Sequence, residues 1–285
     1  MSKGKICLIL SAFIYGLAPM LAKIAYKCGV NGITLTFLRT SLMIPLLFVL
    51  MIVRGKSFRL TKKEFGNIIA LGVVGGSLSI IALYAAYDYI PTGLATTLHF
   101  IYPLIIVIVS ALIYKEKITK AKLAAVMLVT LGIFLFVDLN TAADKIGVIL
   151  AVLSGVFYSF YVIYMDHSGL DKMDYVKLTF YMMIITSFGT FVFGAATESI
   201  VFNEMNSTAW IFSAIISFLI TLGAIPLFQA GVRYEGASTA GIISAFEPIT
   251  TMILGAVFLG EAMTFVQYFG GTMIIIGVVL AEKYG

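Results

Sequence analysis

Long apolar runs separated by short polar connections dominate this chain. An apolar stretch of about 20 residues crosses the hydrocarbon core of a bilayer as a helix. By that measure the pattern predicts ten spans, near 5–27, 34–54, 66–88, 92–114, 121–138, 145–166, 175–196, 207–232, 237–260 and 264–281. No intervening stretch is long or polar enough to form a soluble domain. The first run follows Lys3 and Lys5 and so imitates a signal peptide. It continues through Lys23 to Tyr26 without a small-residue cleavage site, and it reads as a spanning helix.

Composition agrees with the pattern. The 285 residues are 61% hydrophobic and only 12% charged, whereas soluble domains have about a quarter of their residues charged. The net charge of +5 does not indicate nucleic-acid binding, because the basic residues sit in short connections where topology accounts for them. With the N-terminus placed inside, the inner segments carry Lys3 and Lys5, Arg54 to Lys63, Lys115 to Lys122, Lys172 and Lys177, Arg233 and Lys283. The outer ends carry only Lys23, Lys27 and Lys145, and Arg39 lies within a span. The positive-inside rule then puts both termini in the cytoplasm of a bacterial-type inner membrane.

The chain also repeats itself. Displaced by 145 positions, residues 89–132 lie over 234–277, with Tyr89 on Tyr234, Pro103 on Pro248, Glu116 on Glu261, Thr119 on Thr264 and Gly132 on Gly277. A displacement of 143 puts Ser11 on Ser154 and Tyr15 on Tyr158. The expected units are 1–139 and 140–285. Five crossings in each unit, an odd number, make the second enter the membrane from the opposite side. Such inverted repeats place a substrate site at their interface near the midplane. The expected fold is therefore all-α, ten transmembrane helices in two inverted five-helix repeats.

Several short motifs resemble those of the EamA-type transporters of the drug/metabolite transporter superfamily. They are Tyr15-Gly16 followed by Lys23, Arg39 in the second span, Tyr102-Pro103 and Glu116 in the first repeat, and Gly236-Ala237-Ser238, Glu247-Pro248 and Leu259-Gly260-Glu261 in the second. The resemblance covers essentially the whole chain. It implies ten helices and transport of small metabolites, often by export, of substrates that range over amino acids, nucleobases, nucleotide sugars and amines. The sequence departs from the pattern at Tyr15, where a tryptophan is common, and Arg39 has Met182 as its repeat partner.

Ionisable groups inside a membrane cost about 2.5–3.5 kcal/mol on insertion scales, which makes each a functional candidate. Glu247 lies halfway through the ninth span, and Ser244, Glu247 and Thr251 share one helical face. His99 and Tyr102 are the repeat equivalents of Ser244 and Glu247. Tyr15, Tyr84, Tyr158, Tyr161 and Gln229 complete an expected polar and aromatic lining, since aromatic faces attract cations. Packing and the headgroup belt are the alternative uses of such tyrosines, and the belt is the expected place of Tyr26, Tyr89 and Tyr234. Arg39 pairs with an acid or meets an anionic group at the cavity mouth; snorkelling to the headgroups is the alternative. Pro103 and Pro248 remove backbone hydrogen bonds at matching depths and suit a hinge. Gly72 and Gly76 mark a close helix approach.

These features point to a secondary carrier, an exporter of a small polar solute such as an amino acid or amine, working by alternating access. Protons are a candidate coupling ion, and the chain is expected as a monomer or homodimer. Import, multidrug or nucleobase transport on the same fold, and a non-transporting receptor are the alternatives. No Walker A sequence is present, nor a nucleophile motif, so neither ATP hydrolysis nor an enzyme is expected. If both lie on the first helix, Cys7 and Cys28 are roughly 32 Å apart and cannot bridge. No cysteine or histidine spacing suggests a metal, and no cofactor is expected.

Overall fold

The computed structural model describes residues 2–135, 144–259 and 264–284, and these form an all-α integral membrane protein. Ten helical spans follow in order: α1 Lys3–Tyr26, α2 Gly32–Val53, α3 Lys62–Ala86, α4 Thr92–Leu112, α5 Lys120–Phe134, α6 Lys145–His167, α7 Tyr175–Ala196, α8 207–235, α9 237–259 and α10 Phe265–Tyr284. Helix α5 is short for a span on its described residues, and predicted positions 136–138 and 260 lie outside them. Helices α8 and α9 run on continuously except at Gly236, whose φ of 76° turns the chain. A positive φ costs glycine little, because it has no Cβ to clash.

A buried helix end leaves amides unpaired, and most spans here begin on a side chain that caps them. Ser2, Asn31, Thr119, Asp144, Asp174 and Asn206 each accept from an amide of their own first turn. Thr61 with Glu64 forms a reciprocal capping box. Thr119 Oγ1 accepts from the Lys122 amide at 3.1 Å, and its repeat equivalent Thr264 accepts from the Gln267 amide at 3.3 Å. Helices α4 and α9 are exceptions: Pro91 and Gly236 offer no capping side chain.

Prolines divide three of the spans, at Pro103 and Pro248 as the sequence leads one to expect and also at Pro45. Helix α2 breaks at Leu42-Met43 ahead of Pro45, α4 at Phe100-Ile101 ahead of Pro103, and α9 at Ala245 ahead of Pro248. Pro226 follows a stretch of wide π-turns, Leu219–Ala224, while α1 stays continuous through Pro19.

The packing is repeat-symmetric and interleaved. Helix α1 lies on α8 and α9, and its equivalent α6 lies on α3 and α4; α5 pairs with α10 and α2 with α7. Ser11 Oγ donates to the Ala224 carbonyl at 2.8 Å; at the matching place Ser79 Oγ donates to the Ser154 carbonyl at 3.0 Å. Gly72 and Gly76 receive Ile185 and Thr186 of α7, as their spacing predicts. Gly132 faces the Gly270 carbonyl, the closest kind of helix contact, and this joins α5 to α10.

Two sets of loop contacts define two faces. On one face Lys56 pairs with Asp174 at 2.7 Å, Asn67 Nδ2 donates to the Ser168 carbonyl at 3.2 Å, Ser2 bonds Glu235 and Lys5 bonds the Glu282 carbonyl. On the other, Asn31 Nδ2 donates to the Ser199 carbonyl at 2.7 Å, and the Asn206 amide donates to the Cys28 carbonyl at 3.2 Å. Both ends of the described chain thus lie on the first face, here the termini face.

Two outcomes test this account. A Cβ added at Gly132 would sit 2.6 Å from the Gly270 carbonyl oxygen, whereas at Gly93 it meets nothing within 4 Å. Gly132→Val is expected to cost about 1–3 kcal/mol and to lower the melting temperature in detergent, with Gly93→Ala nearly silent. At Asp174, partial burial pushes the carboxyl up, but Lys56 and the amides of Lys177 and Val176 outweigh it and hold the group below its ordinary value. A lowered native value stabilises above the unfolded pKa of about 3.9 and is lost as pH falls through the native one. Asp174→Asn keeps the cap and drops the ion pair, so the mutant's melting temperature should fall less than the parent's on acidification below about pH 4.

Candidate functional site

The breaks in α4 and α9 lie side by side at the interface of the two repeats, each held by the first helix of a repeat. Gly16 of α1 fits against the Glu247 carbonyl, and Thr251 Oγ1 donates back to the Gly16 carbonyl at 3.1 Å. At the equivalent place Ser159 of α6 donates to the Tyr102 carbonyl at 3.3 Å, and Gly155 fits against the His99 carbonyl. Small residues on α1 and α6 are therefore what admits the broken helices to the centre.

Around these breaks lies a compact aromatic group. Tyr102 and Tyr158 meet edge to face with centroids 4.7 Å apart, and His99 lies 5.6 Å and 5.5 Å from them. Tyr158 stacks on Tyr161 at 5.6 Å, and Tyr161 on Phe228 at 6.2 Å. Tyr102 and Tyr161 are buried, whereas Tyr15, His99, Tyr158 and Glu247 are half-buried and so border open space. Tyr15 completes the group, near enough to interact with Tyr161 and Glu247.

The charges are arranged asymmetrically. The Glu247 carboxyl makes no direct hydrogen bond or ion pair among the described residues, yet the Arg39 guanidinium is near enough to act on it electrostatically. Arg39 also acts on the phenols of Tyr15 and Tyr26. It sits in the last turn of the Gly32–Ser41 segment, where the exposed carbonyls of a helix end favour a cation. His99 Nδ1 lies 2.9 Å from Ser154 Oγ, which itself donates to the Ala151 carbonyl at 2.6 Å. The serine proton being committed, Nδ1 must carry the donor hydrogen, which leaves Nε2 as the acceptor. Gln229 is fully buried; Thr179 Oγ1 lies 3.4 Å from its Oε1, the Tyr161 phenol adjoins it, and its Nε2 has no hydrogen-bond partner among the described residues. Ser244 Oγ donates to the Ala240 carbonyl at 2.8 Å and adjoins the Tyr102 phenol.

Of the residues singled out in the sequence, the structure brings together Tyr15, His99, Tyr102, Tyr158, Tyr161, Gln229, Ser244 and Glu247, with Arg39 facing them and Pro103 and Pro248 at the breaks. Tyr84 stands apart. It packs on Gly32 and meets Tyr87 edge to face at 5.3 Å. Tyr26 joins it there instead of serving only the headgroup belt, its hydroxyl directed at Tyr84. Phe228 and Ser159 were missed: a buried phenylalanine and a mid-helix serine give no sign of function in an apolar run. Glu261 and Gly260 lie outside the described residues, and the Leu259 side chain is not described. A shallow apolar depression of about 280 Å³ lies elsewhere, between Phe37 of α2 and Ile184, Phe188 and Phe191 of α7. Its lining suits lipid tails and lacks the chemistry of the central group. Cys7 and Cys28 are free, and no metal-binding cluster occurs among the described residues.

An all-helical membrane protein whose two similar halves enclose a buried polar group has the build of a carrier. The chain belongs to the EamA-like transporter family, whose model matches residues 2–138 and again 145–282. Two uncharacterized transporters of Archaeoglobus fulgidus are 25% and 24% identical to it, over 99% of this chain in each case and 99% and 97% of the relatives. An uncharacterized transporter of Synechocystis sp. is 25% identical over 71% of this chain and 62% of its own length. A protein crystal structure superposes with a TM-score of 0.84 and 16% identity, covering 98% of this chain and 97% of that one; the likeness is one of fold.

An unpartnered buried amide costs about 1–3 kcal/mol. Replacing Gln229 by Met, similar in size and apolar, should therefore leave the melting temperature unchanged or raise it. A clear fall would mean that the Thr179 contact, not binding, explains the glutamine.

Proposed function

We propose that this chain is a secondary transporter that carries a small polar solute, an amino acid or amine, by alternating access, and that it works chiefly as an exporter. The observation that supports this most directly lies across the repeat interface: Glu247, without a direct partner among the described residues, lies in the field of Arg39, and Tyr15 is near both. A carboxylate among ring faces suits an ammonium group. A guanidinium beside it suits a carboxylate on the same solute. Single-polarity ligands satisfy one half of such a site; a zwitterion satisfies both.

The basic residues of the termini face, by the positive-inside rule, put that face in the cytoplasm of a bacterial-type inner membrane. Glu247 and His99 are the groups on which proton coupling would rest, because both sit at the solute position and can change protonation. The family relationship supports transport, and its members' frequent role in export supports the direction.

The test is flux in proteoliposomes with labelled amino acids and amines. Glu247→Gln should lower transport of the accepted solute by roughly tenfold or more, equivalent to about 1.4 kcal/mol of lost interaction. The same change should leave melting temperature level or higher, since it removes an intramembrane charge. Flux equal to the parent protein would remove Glu247 from the mechanism. Arg39→Gln should weaken zwitterions far more than simple amines, and an equal loss for both would place Arg39 outside the binding site.

A further inference from the structure

The two repeats differ in how they finish α4 and α9, the pair of spans without capping residues of their own. At the termini face, α9 is capped by other helices. Asp166 at the end of α6 accepts from the Ala237 amide at 2.8 Å, and Ser238 Oγ donates to Glu116. Glu116 also pairs with Lys122 of α5 at 2.8 Å, and that lysine side chain is nearly buried. His167, beside Asp166, meets the Tyr114 ring at a tilt of 33°, with centroids 3.5 Å apart. Gly236, at φ 76°, provides the turn that aims the Ala237 amide at Asp166. The first half of α9 is then pressed onto the second half of α4, with Gly241 against Ile106 and Pro103.

At the opposite face the match of Glu116, Glu261, lies outside the described residues, and the other matching positions carry different chemistry. Asp166 corresponds to Lys23, Gly236 to Pro91, Ala237 to Thr92 and Ser238 to Gly93. An ammonium has no lone pair to offer an amide, and Thr92 and Gly93 are exposed. The segment Thr92–His99 makes no comparable packing on Phe246–Leu259. Helices α4 and α9 are thus joined toward the termini face and apart toward the other.

We propose that Asp166 and Glu116 form a polar latch that closes the termini face and sets the resting state open to the opposite face. The reasoning rests on the alternating-access reading above, but the latch is a separate claim, about which state is favoured. Opening would withdraw α9 from α4 and leave the Ala237 and Ser238 groups to water. It would also wet Ser110, a buried hydroxyl with no hydrogen-bond partner among the described residues, which shares a helical face with Pro103 and Ile106. A solute that moves toward the termini face must break the latch; one that leaves by the opposite face finds the way open.

Thiol accessibility tests this without any solute. Cys7 and Cys28 are first replaced by Ser. Ser110→Cys then reports the closed side and Thr96→Cys, the equivalent of Gly241, reports the open one. With a membrane-impermeant maleimide, the Ser110→Cys thiol should react slowly in the parent. Asp166→Ala or Glu116→Gln should speed it by roughly tenfold and slow the Thr96→Cys thiol. Lys23→Asp places an acceptor at the opposite face; it should slow the Thr96→Cys thiol and leave the Ser110→Cys thiol no slower. If Asp166→Ala does not yield folded protein, Glu116→Gln and Lys23→Asp decide. Ser110→Cys reactivity unaltered in the latch variants, or a Thr96→Cys thiol as protected as the Ser110→Cys thiol in the parent, overturns the proposal. Loss of flux in Glu247→Gln bears on the solute site alone and leaves these rates as the measure of the latch.

Discussion

Within a bilayer no water is at hand for a backbone amide or carbonyl, so each must be bonded inside the protein or open to an aqueous space. This constraint orders the whole molecule. Helices satisfy their own interiors, and Ser, Thr, Asn and Asp cap their first turns at the membrane edges. The difficult places are the breaks at Phe100-Ile101 and Ala245, where prolines free carbonyls at depth. At the first break the carbonyl that Pro103 frees is that of His99, and the neighbouring helix admits it with Gly155; Gly16 in the same way lets α1 approach the second break at Glu247. The polar centre is thus a consequence of broken helices, and the charged and aromatic side chains gather where the backbone has already made the interior polar.

Much of this architecture was legible in the sequence because it arises from local or periodic causes. Apolar run lengths mark the spans, prolines mark the breaks, and the Gly72/Gly76 spacing marks the α3–α7 contact. The alignment of the repeats shows which residues stand at equal depth, and it brought Tyr102, Glu247, His99 and Ser244 into one group. What stayed hidden depends on distant partners. Asp166 caps an amide 71 residues away, and nothing in its own surroundings marks it as a cap. Tyr84 was grouped with Gln229 by symmetry, yet only Gln229 reaches the centre, because Tyr84 turns toward Gly32 and Tyr26. Equal depth does not mean equal surroundings once the two halves adopt different arrangements.

That difference is also what a carrier needs. Two identical halves in opposite orientations would present the same energy to either face, and neither opening would be favoured. This chain departs from identity at a few matched positions: Tyr102 and Glu247, His99 and Ser244, Arg39 and Met182, Lys23 and Asp166. The first three make the polar centre lopsided. The last lies at the helix ends and affects the closure of the faces.

The energies involved are small enough for such differences to decide the outcome. A tenfold excess of one open state over the other requires only about 1.4 kcal/mol, and a hydrogen bond to a charged acceptor contributes about 1.5–3 kcal/mol. One acid positioned at a helix end can therefore bias which face opens, because the packing of α5 on α10 and of α2 on α7 pairs equivalent helices and favours neither face.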